Sequence, residues 1–156
     1  MKVSELEGAL LDYWVAQHSP QCINMRFEWR GEHWVGIGEI DGKDEVIVAG
    51  AAPGFFAGLK ARKLYGKELM AVYRPSSDWS QGGPIIEQEQ MAVVNRWEDW
   101  RAGYQFDVSI EYGDPVMELK HEQVGSTPLI AAMRAFVSSK LGAEVPDIVL
   151  KSGENP

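Results

Sequence analysis

The sequence is poor in the residues that build disulfides and metal clusters. Cys22 is the single cysteine, and there are three histidines among 156 residues. One thiol forms no intrachain disulfide and supplies no thiolate cluster, so we expect a protein of a reducing cytoplasm. His18, His33 and His121 lie far apart and lack the spacing of metal ligands. The sequence therefore predicts no metal site and no cofactor.

Long apolar runs and an excess of positive charge are also missing. No stretch approaches the roughly 18 consecutive apolar residues of a membrane span, and no apolar run follows a basic N-terminal segment as in a signal peptide. The formal net charge is −8. Because duplex binding depends on Lys and Arg that neutralise phosphates, this charge argues against duplex nucleic acid as a partner. A basic partner, or a small anion in a local positive pocket, remains open.

The remaining composition is ordinary for a globular protein, with 45% apolar and 24% charged residues. The length is sufficient for one domain with a real core. We predict a single domain over residues 1–147 and a flexible tail over residues 148–156. Six tryptophans are the unusual count, and core packing is the simplest account of them.

A helix is predicted at each end of the chain. Ser4 and Glu7 have the spacing of a capping box, and apolar residues at helical spacing follow over about residues 5–17. Near the other end, Thr127 suits an N-cap and Gly142 is placed to end the helix.

Between the helices, apolar and polar residues alternate as they do in strands. Asp41-Gly42 predicts a hairpin turn, and another extended segment is expected to begin at Ile85-Ile86. The last predicted strand places five apolar side chains on one face: Tyr104, Phe106, Val108, Ile110 and Tyr112. The predicted strands cover residues 25–30, 33–40, 45–49, 68–73, 91–94 and 104–112. The predicted fold is α+β, a mostly antiparallel sheet on which an N-terminal and a C-terminal amphipathic helix pack.

Residues 73–87 form the densest run of special-purpose side chains. Two prolines and a Gly-Gly pair predict an irregular segment. Glycine amides and an Arg guanidinium suit an anion, an indole can stack on a base, and Asp or Gln can recognise polar ring edges. The amide-rich start of the last helix offers a second anion site. The predicted ligand-binding residues are Arg74, Ser76, Ser77, Asp78, Trp79, Gln81, Gly82, Gly83, Ser126 and Thr127.

Two other interpretations of this segment stay open. In the first it is purely architectural, with Trp79 in the core and Asp78 capping nearby amides. In the second it is catalytic, with a serine nucleophile or with Asp78 and Glu87 as an acid/base pair. No Gly-x-Ser-x-Gly motif frames any serine of the segment, so we predict no catalytic residue and no enzyme.

Three segments together resemble a known family: residues 4–6 with 8–16, Tyr73 with residues 75–87, and residues 126–134 through 144–146. They are similar to the phage NinX-like family, found in tailed phages and prophages and known mainly as a domain of unknown function. Between them, residues 17–70 look like an expanded region. The resemblance implies a phage-derived accessory protein in the cytoplasm of the infected bacterial host, and it implies no established reaction.

The leading functional hypothesis combines this resemblance with the nucleotide-like set of side chains. We expect a non-catalytic protein that binds and sequesters a nucleotide-derived signal of host anti-phage defence, as a homo-oligomer. One alternative is an acidic interaction protein that inhibits a host protein. Another is a hydrolase that acts on a similar nucleotide.

Overall fold

A computed structural model describes residues 1–29, 33–51, 63–64, 67–68 and 73–146. The chain divides into two compact units. The N-terminal unit comprises Glu7–Arg74 with Pro146–Pro156, and the C-terminal unit comprises Met1–Leu6 with Pro75–Val145. The single domain predicted over residues 1–147 stays a prediction, and the tail predicted over residues 148–156 lies outside the described residues.

The N-terminal unit contains the first predicted helix and an antiparallel meander. Helix α1 spans Gly8–His18, and its residues 11–16 are all buried. The strands β1 (Ile23–Trp29), β2 (His33–Ile40) and β3 (Lys43–Ala51) pair in that order. Positive φ angles at Asp41 and Gly42, 51° and 77°, fit the predicted two-residue hairpin turn. The meander predicted from alternation is confirmed.

The start of α1 and the fourth predicted strand differ from expectation. Ser4 lies in a 3₁₀ helix, Val3–Glu5, and α1 begins later without a side-chain cap, so the predicted capping box is wrong. Two short strands follow the meander, β4 (Lys63–Leu64) and β5 (Lys67–Glu68). Of the strand predicted over residues 68–73, residues 69–72 lie outside the described part, and Tyr73 lies in no strand.

Cys22 is buried in the N-terminal unit. Its side chain is 5% exposed, and its Sγ donates to Met25 Sδ at 3.4 Å. Burial disfavours the thiolate and raises the pKa of this thiol to about 11 from an ordinary value of 9.0.

We expect Cys22 to react slowly with an aromatic disulfide reagent. Near neutral pH, the raised pKa alone lowers the thiolate fraction about a hundredfold, and the thiolate is the reacting species. Reaction of the native protein should therefore be at least about a hundredfold slower than reaction in denaturant. The folded pKa lies above the unfolded one, so this thiol's contribution to stability is lost as pH rises from 9.0 to about 11. Equal rates in the two states would contradict the buried placement.

The C-terminal unit is a three-stranded antiparallel sheet with two helices. Helix α2 spans Trp79–Gln88, and helix α3 spans Pro128–Leu141 and packs on β7 and β8. The sheet has the order β6-β7-β8. Its strands are β6 (Ala92–Arg96), β7 (Asp99–Glu111) and β8 (Asp114–Gly125). The α+β class is confirmed, with a third helix and with the strands divided among separate sheets.

Both ends of the C-terminal unit meet beside α3. The Val3 amide donates to Ala143 O at 2.9 Å, and the Val145 amide donates to Met1 O at 2.9 Å. Thr127 caps α3 as predicted, because its Oγ1 accepts from the Ile130 amide at 3.2 Å. Apolar side chains of α3 fill the core of this unit: Leu129, Met133, Phe136 and Val137 are each at most 3% exposed.

The predicted alternation along β7 is interrupted at Gln105, which has a φ of 51° beside a register shift in the pairing with β8. Tyr104 is half-buried towards α3, where its hydroxyl accepts from Ser139 Oγ at 3.3 Å and burial raises the pKa of its phenol to about 12. After Gln105, the side chains of Phe106, Val108 and Ile110 are exposed by 51%, 53% and 76%. Because of this interruption, the prediction of a single apolar face from Tyr104 to Tyr112 is wrong. In addition, β7 ends at Glu111, before Tyr112.

Candidate ligand-binding site

Residues 79–88 are helical, so the predicted irregular segment and the extended start at Ile85-Ile86 are both wrong. Asp78 is the N-cap of α2, and its Oδ1 accepts from the Ser80 amide at 2.9 Å and from Ser80 Oγ at 2.6 Å. Asp78 and Gln81 have the sequence spacing of a capping box, a helix-start signal that outweighs the Gly-Gly pair here. Pro84 lies inside the helix.

Trp79 lies at the first position of α2, and its side chain is 57% exposed. The architectural interpretation put this indole in the core, and the structure puts it at the surface. The same interpretation had Asp78 capping amides, which it does. The exposed ring leaves a flat apolar face available for stacking.

The two glycines of α2 have different surroundings. A Cβ at Gly82 would overlap the carbonyl oxygen of Pro75 and lie 2.7 Å from Leu129 Cδ2. The Gly82 amide donates to Asp78 O at 2.8 Å inside the helix. A Cβ at Gly83 would meet nothing closer than Trp79 Cε3 at 3.9 Å. Close packing of α2 on the first turn of α3 therefore accounts for glycine at position 82, and the predicted ligand contact of either glycine stays a prediction.

The residues before α2 divide between the two units. Tyr73 is 1% exposed and its hydroxyl donates to Gln21 Oε1 at 3.3 Å, so the segment starts in the core of the N-terminal unit. Arg74 is half-buried and belongs to the same unit. Ser76 is 5% exposed, whereas Ser77 is exposed, and both belong to the C-terminal unit.

The start of α3 lies close to α2. The packing of Gly82 on Leu129 brings the middle of α2 to the first turn of α3. Ser126 and Thr127 are both exposed just before that turn, and Thr127 Oγ1 is engaged as the cap. The structure thus brings these two residues into the neighbourhood of α2, within one compact unit.

Ser80 and His121 each contact a neighbouring side chain. The Ser80 hydroxyl donates to the capping carboxylate of Asp78, and His121 lies edge-on to the Tyr104 ring at 6.0 Å between centroids. Within the described ranges, no group of three or more His, Cys, Asp and Glu side chains is placed to hold a metal ion.

A family model described as Bacteriophage P22, NinX matches residues 2–140. This chain belongs to the NinX family. The match covers α1, α2 and nearly all of α3, and it runs through residues 17–70, which the sequence resemblance had left out. No curated protein matches the chain.

The NinX-family assignment makes this a phage protein of unknown function. In the part of the chain that the structure describes, no helix is long and apolar enough to cross a membrane.

Proposed function

We propose that this NinX-family protein is a non-catalytic accessory protein that binds and sequesters a nucleotide-derived signal of host defence in the cytoplasm of the infected bacterium. The observation that carries the proposal is the exposure of Trp79 at the N-terminus of α2. Tryptophan side chains are usually buried, because burial of an indole removes a large apolar area from water. Stacking of an aromatic side chain on a base is worth about 1–3 kcal/mol and tolerates different bases.

The surroundings of Trp79 supply polar contacts for such a ligand. Ser77 is exposed just before α2, whereas Gln81, two residues after the indole in the helix, does not share its face. Ser126 and Thr127 are exposed at the start of the neighbouring helix α3, where the helix dipole favours an anion. One aromatic platform with hydroxyls and an anion-favouring helix end fits a base linked to phosphate.

Calorimetry with a panel of cyclic nucleotides and ADP-ribose derivatives tests this function. We expect one of them to bind stoichiometrically and to be recovered intact by chromatography. Trp79→Ala should weaken binding about 10- to 100-fold, the equivalent of one lost stacking contact. Trp97→Ala is the matched control, because Trp97 is 89% exposed at the turn between β6 and β7.

The outcomes separate the candidate functions. If a folded Trp79→Ala variant bound the nucleotide with unchanged affinity, the binding site would not be at the Trp79 end of α2. Conversion of the ligand to products would make the protein a hydrolase. Equal losses from Trp79→Ala and Trp97→Ala would indicate a general effect on folding and would contradict a local stacking site.

A second function, inhibition of a basic host protein, is favoured by the acidic end of the sheet. Asp107 lies directly opposite Glu118 across β7 and β8, and Glu111 lies opposite Asp114. Like charges in direct cross-strand positions are destabilising, which is consistent with selection for a basic partner. A groove of about 450 Å³ is lined in part by Asp107 and Glu118, and also by Lys120 and by Glu122, which is paired with Arg101 at 2.6 Å. Salt-sensitive binding of a basic protein, without binding of any nucleotide, would favour this function.

A further inference from the structure

The far end of the β7–β8 hairpin is a ribbon of two strands, residues 106–111 and 114–119. Strand β6 pairs with β7 only as far as Ala92 opposite Gly103. Beyond that pair, β7 and β8 continue together to Glu111 opposite Asp114. An isolated two-stranded hairpin is at best marginally stable in water, and it gains stability when one face packs on something else.

One face of this ribbon is apolar and exposed. Val108 lies opposite Met117, and Ile110 lies opposite Pro115. Since side chains alternate along a strand, Phe106 shares this face with Val108 and Ile110. These three side chains are 51%, 53% and 76% exposed. Contiguous apolar exposure of this kind marks an interaction surface rather than a random surface position.

The opposite face of the ribbon carries all four of its charged side chains. Asp107 faces Glu118, and Glu111 faces Asp114, across the pair of strands. The apolar face therefore contains no charged residue. A partner that covers the apolar face leaves every carboxylate of the ribbon in water, so no charge is desolvated by the contact.

We infer that the apolar face of the ribbon pairs with the same face of a second copy of this chain. A second copy carries the same net charge of −8, so association requires an arrangement that keeps carboxylates away from the contact. Face-to-face stacking of the two ribbons does this, because the acidic faces then point outwards on both sides. Under two-fold symmetry centred near Val108, Ile110 of one copy meets the partner's Phe106.

The area of the face sets the strength of this dimer. Phe106, Val108 and Ile110 expose about half to three quarters of their area, and together with Pro115 and Met117 they offer on the order of 500 Å². Two copies would bury about 1,000 Å² in total, which is near the lower end for specific interfaces. We therefore expect dissociation constants in the micromolar range. The inference is independent of the proposed nucleotide site on α2.

Sedimentation equilibrium of the full chain at micromolar concentrations tests the pairing. We expect a reversible dimer with twice the chain mass of 17.4 kDa. Added salt should strengthen it, because screening reduces the repulsion between two acidic chains while apolar contacts persist. Ile110→Lys should weaken it roughly a hundredfold or more, since each dimer loses two apolar contacts and gains two lysines at the seam.

Ser109→Lys is the matched control, because it adds the same charge one residue away on the acidic face. It should leave the dimer constant within a few-fold of the wild type. Val108→Lys is a second variant on the apolar face and should behave as Ile110→Lys does. Near-ultraviolet circular dichroism checks that each variant is folded. A monomer across the whole concentration range, or a dimer that Ile110→Lys and Val108→Lys leave intact, would overturn the inference.

Discussion

Gly82→Ala is expected to lower the free energy of unfolding by about 3 kcal/mol, whereas Gly83→Ala should raise it by up to about 1 kcal/mol. The added methyl group at position 82 would overlap the Pro75 carbonyl oxygen and press on Leu129. A backbone carbonyl yields little, so α2 would have to move away from α3. At Gly83 the methyl group would make an ordinary van der Waals contact with Trp79 Cε3 at 3.9 Å, and alanine restricts the unfolded chain more than glycine does.

Urea unfolding of the two variants and the wild type measures this difference. The two substitutions are chemically identical and adjacent in α2, so each controls for the other. Similar stability of both variants would contradict the close approach of α2 to Pro75 and Leu129. The pair also bears on ligand binding, because Gly83→Ala adds a methyl group beside the Trp79 ring without a close approach to α3.

Arg134→Met is expected to lower the free energy of unfolding by about 2 kcal/mol. Arg134 Nε donates to Leu6 O at 2.8 Å, and its Nη1 donates to Val124 O at 2.8 Å. The guanidinium thus joins the 3₁₀ segment near the N-terminus to the end of β8. Hydrogen bonds from a charged donor contribute about 1.5–3 kcal/mol each when buried, and exposure of the Val124 contact reduces the sum.

Arg134→Lys should recover less than half of this loss, because an ammonium group lacks the planar fork that reaches two carbonyls at once. Arg96→Met is the control, because Arg96 is exposed at the end of β6, with its Cζ 5.9 Å from the Trp97 ring centroid. This substitution should change the free energy of unfolding by no more than about 0.5 kcal/mol. Thermal unfolding of the three variants ranks them. An Arg134→Met protein as stable as the control would show that the two carbonyls are equally well satisfied by water.

Local patterns predicted much of this fold. The Asp41-Gly42 turn, the alternation around it and the Thr127 cap each depend on chemistry within a few residues, and each was confirmed. Ser4 failed as a cap because pairing of the N-terminal residues with the segment after α3 decides their conformation. That pairing joins residues far apart in the sequence, and no local pattern contains it.

The candidate site was harder to predict. Gly82 and Pro84 argue against a helix when they are considered alone, but the Asp78 cap and the packing of Gly82 on Leu129 favour one. Alternation along β7 predicted the strand correctly. It could not distinguish a buried apolar face from an exposed one, because Phe106 and Ile110 look the same in sequence whether or not another layer covers them.

The Met1 amino group donates to the carbonyl oxygen of Val145, 144 positions along the chain. This contact has a consequence for synthesis on the ribosome. The first six residues belong to a unit whose other residues begin at Pro75. They emerge from the ribosome before their partners, which follow α3. Residues 1–6 therefore lack their pairing partners while residues 7–74 are synthesised, and residues 7–74 can fold before residues 1–6 do. Closing so long a loop is a late step that adds little entropy cost beyond that of a loop half as long.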